Sequence, residues 1–335
     1  MTILFAGCED TGFTMVGTAA GSNNNVDATF SRSGVAVDQS GPAADPQANR
    51  AQTPTFTSTN LLWVHAVAFF PSNSGSDGYQ AMAIRSPDGQ SRIILRQTAT
   101  AGQLKVSSRN AAGTITDLAT SSITLSLNAR HKLDLKIDYS GSGGVQLYED
   151  GVLGINFSGD PRTDAATQLN QIDLVAVVAG GTTTNWSQII AADADTRAMS
   201  VWTLAPLAAG NTQAWTPNTL ANINDTVIND TTFISSSANN DISEWTTPVT
   251  APAGAWTVKA IVQEARVQRG TTGPQHFDWI VRTASTDFTA GVSNAPATSF
   301  GNFNNQLWAT NPNTSSAWLI TDIAAGFNLG IKSLA

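Results

Sequence analysis

HKLDLKIDYSGSGGVQLYEDGVLGINF, residues 131–157, is the stretch on which the reading of the fold turns. His131, Leu133, Leu135, Ile137 and Tyr139 fall on one side of an extended chain and Lys132, Asp134, Lys136 and Asp138 on the other, the period of two that marks a strand with one wet face. A Gly/Ser turn at 141–144 follows, and Asp150-Gly151 then supplies the positive φ angles of a tight hairpin, with Leu153, Ile155 and Phe157 alternating beyond it. Upstream, SPDG (86–89) joins AMAIR to SRIILR, and QLKVSS (103–108) comes after another glycine turn, so this region reads as an antiparallel meander.

Glycine, proline, asparagine and aspartate punctuate the rest of the chain at the short spacing of sandwiches and barrels. The one helical candidate is TDIAAG (321–326), a single turn with Thr321 as cap and Gly326 as stop, after which FNLGIKS resumes alternation. The predicted fold is all-β, two jelly-roll-like β-sandwich domains in tandem.

Length supports two domains, since 335 residues exceed what one core usually holds. The division is placed at 1–200 and 201–335, because seven of the nine tryptophans lie from Trp202 onward. WTVKAIVQEARV (256–267) and QHFDWIVR (275–282) read as long strands at the centre of the second sandwich, while 21–25 and 41–60 read as surface segments.

Composition excludes several function classes. Charged residues make up 13% of the chain, about half the usual share, and 25 acidic side chains face 17 basic ones, of which five are lysines. Such a chain builds no broad positive field for nucleic acid or anionic lipid. Its longest apolar runs, WVHAVAFF (63–70) and LVAVVA (174–179), are far short of the roughly 20 residues of a membrane span, so no membrane insertion is expected. MTILFAGCED lacks a basic leader region, which argues for synthesis in a cytoplasm. Cys8 is alone, so no intrachain disulfide or cysteine-rich metal site can form.

The segment 131–160, together with SQIIAADADTR (187–197), resembles laminin-G/concanavalin-like jelly rolls, and the resemblance covers residues 1–197. FAGCEDTGFTMVGT at the start is similar to the opening of tailed-bacteriophage virion proteins that carry such a domain. In the second half INDTTFISS, GPQHFDWIVRT and above all WATNPNTSSAWLITDIAAGFNLGIKS (308–333) resemble a module of phage tail and baseplate-associated proteins. The resemblance implies a structural virion protein, made in the host bacterial cytoplasm and assembled with other virion proteins and copies of itself; it does not name the position in the particle, and association with the tail is the leading expectation. Contact with host-surface polysaccharide is a further implication. Capsid decoration and a glycan-binding adhesin are the alternatives.

No catalytic constellation emerges from the residues, and no enzyme activity or cofactor is expected. The four glutamates include Glu149 in a hairpin turn and Glu264 in an alternating strand, each with a ready structural role, whereas glycan hydrolysis needs a facing carboxyl pair. His65, His131 and His276 sit in strand patterns, and no G-x-S-x-G elbow occurs. GFNLGIKS lacks the Walker spacing, because Ile331 intervenes before Lys332. Asp160 and Asp193 are loose candidates for a cation, with a solvated loop as the competing reading. Trp308 and Trp318, with Asn311 between them, are glycan-contact candidates, as is Trp186; the competing reading buries these indoles in the cores, at on the order of 200 Å² each.

Overall fold

The computed structural model describes residues 1–16, 35–38, 50–70, 77–175, 183–225, 229–247, 254–324 and 327–335. The chain divides into two compact units, Met1–Trp202 and Thr203–Ala335. Both are β-sandwiches.

The first unit contains strands β1 (Ile3–Gly7), β2 (Thr14–Val16), β3 (Val35–Asp38), β4 (Arg50–Gln52), β5 (Leu61–Phe70), β6 (Gln80–Arg85) and β7 (Ser91–Gln97). They are followed by β8 (Gln103–Arg109), β9 (Ile115–Thr124), β10 (Ala129–Asp138), β11 (Gly144–Glu149), β12 (Val152–Ser158), β13 (Gln171–Val175) and β14 (Thr183–Ala192). One sheet runs β1-β14-β5-β10-β11-β12 with β3 added on β14; the other runs β2-β4-β13-β6-β7-β8-β9. All pairings are antiparallel, and sequence neighbours separated into different sheets make the crossovers of a jelly roll.

The alternation read in 131–139 sets the inner face. Leu133, Leu135, Ile137 and Tyr139 of the β10 run are buried, and they meet Leu62, Val64, Val145, Leu147 and Ile155 of the same sheet in one core. The opposing sheet contributes Met82, Ile84, Ile93, Leu95, Leu104 and Val106. The Asp150-Gly151 hairpin has both residues at positive φ (52° and 83°), as the expected tight turn requires. Gly102 has φ +77°, and a Cβ there would stand 2.1 Å from the Leu125 carbonyl oxygen, so this turn admits no side chain.

Three expectations for this unit change. Asp134 lies on the wet side of β10 yet is fully buried, because His65 and Thr196 close over its carboxylate. Residues 50–52, expected on the surface, form β4 with Ala51 buried between β2 and β13. Trp186 is fully buried in the core, its indole N–H donating to the Val175 carbonyl at 3.1 Å and its ring edge-on to Phe70. The segment 21–25 lies outside the described residues.

The second unit has β15 (Ala208–Gln213), β16 (Ile242–Thr246), β17 (Ile261–Val267), β18 (His276–Thr283), β19 (Thr286–Thr289), β20 (Gly301–Trp308), a short helix α1 (Ile320–Ala324) and β21 (Asn328–Leu334). A sheet of order β15-β16-β21-β18-β19 accompanies a two-stranded sheet β17-β20. The two long segments read as strands at the centre belong to different sheets, and 256–260 is not strand. Gln263 ties the sheets together: its Nε2 donates to the Ile280 carbonyl at 3.0 Å and its Oε1 accepts the Trp308 indole N–H at 2.7 Å. The helix starts at Ile320, one residue earlier than expected, and Asp322 rather than Thr321 accepts a terminal N–H, that of Leu319. Gly326 lies outside the described residues.

Candidate functional site

The outer face of the β1–β12 sheet carries a row of side chains drawn from four neighbouring strands. Trp63 on β5 pairs with Lys136 on β10, Lys136 pairs with Gln146 on β11, and Gln146 pairs with Asn156 on β12. Alternation turns each of these outward, since Leu62, Leu135, Val145 and Ile155 beside them point into the core. Tyr148, two residues along β11, stacks on Trp63 with ring centroids 6.2 Å apart and planes 18° from parallel. Gln146 donates through Nε2 to Asn156 Oδ1 at 3.0 Å and accepts the Tyr148 hydroxyl at Oε1 at 3.4 Å, which leaves the Asn156 amide N–H beside the rings.

The chain after β14 returns over this face. Thr196 Oγ1 donates to Asp134 at 3.1 Å, Lys132 donates to the Arg197 carbonyl, and Val201 N–H donates to Gln188 Oε1 at 3.2 Å. Arg197 is thereby held with its guanidinium 4.4 Å from the Tyr148 centroid and 5.6 Å from that of Trp63. The Lys136 ammonium is 5.9 Å from the Trp63 centroid, so two cations crowd one indole. Asp195 grips Arg197 through Nε and Nη2, and those hydrogen bonds hold the Asp195 carboxyl below its ordinary range. Beneath lies the buried His65–Asp134 pair at 2.9 Å. Trp63 itself is buried against Tyr148, Lys136 and Arg197 (7% exposed), so the part of the row open to a ligand is half-buried Tyr148 with Gln146 and Asn156, which can meet a pyranose ring and its hydroxyls.

The outer face of the other sheet is more highly charged but satisfies itself. Asp173 on β13 takes Arg50 and Arg85 at 3.4 and 2.9 Å, and Lys105 on β8 lies between Asp77 and Asp117 at 2.8 and 2.9 Å. Buried Arg92 reaches Asp88 and Asp164. Burial pushes the Asp173 carboxyl up against the pull of Arg85; for Lys105 burial works downward, but hydrogen bonds to Asp77 and Asp117 outweigh it and raise the ammonium. In this ladder the cations and carboxylates are paired with one another.

The residues singled out from sequence lie elsewhere. Trp308 and Trp318 are buried in the second core, the Trp318 indole N–H donating to the Trp308 carbonyl at 2.8 Å. Asn311, also buried, accepts the Asn313 N–H and closes the turn to Ser316. With Trp186 also internal, none of these four offers a face to a sugar, and burial explains all of them. Asp160 pairs with Arg162 at 2.9 Å, and Asp193 accepts the Thr2 N–H at 2.6 Å. Among the described residues no group of three or more His, Cys, Asp or Glu side chains could hold a metal ion.

Two carboxyls stand out by their proton affinity. Burial raises Glu149 to about 7, against a hydrogen bond from Ser121 that works the other way. Burial, with the neighbouring Asp287 carboxylate adding to it, raises Glu244 to about 7. They belong to different units, and each is buried too completely to meet a substrate.

No protein-family model matches the chain, and no curated relative matches it. Among solved structures it is similar to an endo-β-1,4-glucuronan lyase from Trichoderma reesei (12% identity, TM-score 0.37, 54% of this chain and 87% of that one). It is also similar to the Caenorhabditis elegans galectin LEC-6 (13%, 0.30, 40% and 84%) and to the carbohydrate-binding module CBM66 from Bacillus subtilis (11%, 0.31, 53% and 93%). These likenesses are too slight to carry an argument about function, which rests on the geometry above.

The sheet row escaped sequence reading because its members are spread over 93 residues, from Trp63 to Asn156, and are joined by strand register. The alternation of Lys132, Lys136 and Asp138 was the available signal, since it marked the face; nothing in it placed Trp63 opposite Lys136.

Proposed function

We propose that the chain is a non-enzymatic, tail-associated structural protein of a tailed-phage virion that binds host-surface glycans through the outer face of the β1–β12 sheet. The observation that carries the glycan reading is the row Trp63–Lys136–Gln146–Asn156 with Tyr148 stacked beside it. A pyranose ring lies on the Tyr148 side, where Gln146 is half-buried and Asn156 exposed, and the two amides meet its hydroxyls. Binding needs no bond breaking, which accords with carboxyls of raised proton affinity being sealed inside each unit. The virion reading rests on the sequence resemblance of residues 308–333, and neighbouring virion proteins or copies of the chain would cover edge strands such as β9 and β12.

The test has two arms. On an array of host-surface polysaccharides the intact protein should bind, and Tyr148→Ala should weaken binding about tenfold, or roughly 1.4 kcal/mol, with the fold retained; unchanged binding by the variant refutes the site. Mass spectrometry and electron microscopy of purified particles should find the chain in the tail. Density on the capsid would favour decoration, and absence from the particle would remove the virion reading.

A further inference from the structure

We infer that the ligand of this face is an acidic saccharide whose carboxylate sits between Lys136 and Arg197, an inference that rests on the glycan reading and specifies its substrate class. Lys136 has no carboxylate partner among the described residues, although the chain carries more acids than bases and most of its arginines are ion-paired. The nearby carboxylates are engaged elsewhere: Asp138 accepts the Ser140 N–H at 3.2 Å, Asp134 is closed in by His65 and Thr196, and Asp195 holds Arg197. Asp195 occupies the Nε and Nη2 edge of the guanidinium and leaves Nη1 for a ligand.

The placement of the two cations supports the same conclusion. Both lie within 6 Å of the Trp63 centroid, each attracted by the indole's π-electrons. An anion that meets both cations gains two charge-assisted hydrogen bonds, while the sugar ring keeps its contact with Tyr148. A neutral sugar would gain only the stacking and the amide contacts. Arg197 is 42% exposed in its side chain, so it can adjust to meet the carboxylate.

The experiment is calorimetric titration of the full chain with hexagalacturonate, a hyaluronan hexasaccharide and trisialic acid, each beside its carboxyl-reduced counterpart. At least one acidic probe should bind about tenfold more tightly than its reduced form, and the preference should shrink as salt rises. Lys136→Gln and Arg197→Gln should each weaken binding of the acidic probe several times more than binding of its reduced counterpart, so that most of the preference is lost. Equal affinity for an acid and its reduced form, or preference retained in both variants, overturns the charge assignment but leaves the glycan reading standing if Tyr148→Ala still weakens binding. Failure of every probe, acidic and reduced, overturns the assignment, and if the polysaccharide array is also blank the glycan reading falls with it.

Discussion

Trp186→Ala is expected to lower the stability of the first unit by about 3–5 kcal/mol, the cost of emptying a large buried aromatic site. The indole is fully buried, packs edge-on against Phe70 with centroids 6.2 Å apart, and donates its N–H to the Val175 carbonyl. Alanine removes the packing and leaves that carbonyl without its donor, and the surrounding strands, held in register by β5 and β14, can collapse only partly into the space. Urea unfolding followed by far-ultraviolet circular dichroism measures the loss. A change below about 1 kcal/mol would be that of an exposed rim residue and would contradict the placement of Trp186 in the core.

Glu149→Gln is expected to change how stability depends on pH. Glu149 is 1% exposed at the end of β11, takes a hydrogen bond from Ser121 on β9 of the other sheet, and has one oxygen, Oε1, without a partner among the described residues. In the unfolded chain its carboxyl titrates near 4.5, whereas burial in the native state raises it to about 7. The native state therefore holds a proton that the unfolded state has lost between these values. This contribution is fully present below pH 4.5 and is lost as pH rises through 7, amounting to about 3 kcal/mol at roughly 1.4 kcal/mol per pH unit.

The side-chain amide introduced by E149Q cannot ionise, so the variant should be more stable than the parent at pH 8 by up to that amount and gain no such advantage at pH 5. Glu244 produces a fall of the same sign in the second unit, so hydrogen exchange of the β9 and β11 amides is the specific readout. An equal stability difference at both pH values would show that Glu149 is already ionised in the native state.

These two residues also mark how far sequence reaches. The alternation of 131–139 and the Asp150-Gly151 turn expose the strand, its buried face and its hairpin, because both are local properties of φ, ψ and side-chain period. That Trp186 fills the core while Trp63 is buried on the other face of the same sheet depends on which strands lie side by side, and β5 lies between β10 and β14, partners far away in sequence. The same non-local pairing separates β17 from β18, which look adjacent by sequence yet lie in different sheets. Tryptophan-rich sequence near 308–318 is read equally well as sugar platform or core; burial of both indoles, with the hydrogen bonds of Trp308 to Gln263 and of Trp318 to the Trp308 carbonyl, distinguishes them. Asp134 illustrates the converse: alternation puts it in water, and a segment far downstream, at Thr196, covers it.

The most direct test of the glycan-binding face is fluorine NMR of the full chain carrying 5-fluorotryptophan at its nine tryptophans, titrated with the acidic oligosaccharide that binds best in calorimetry. Trp63, assigned through Trp63→Phe, should shift on binding, because the sugar sits on Tyr148, whose ring stacks on the buried Trp63 indole, while Trp186, Trp308 and Trp318 stay in place. A shift at Trp308 or Trp318 with Trp63 unmoved would place the ligand on the second unit and contradict the account.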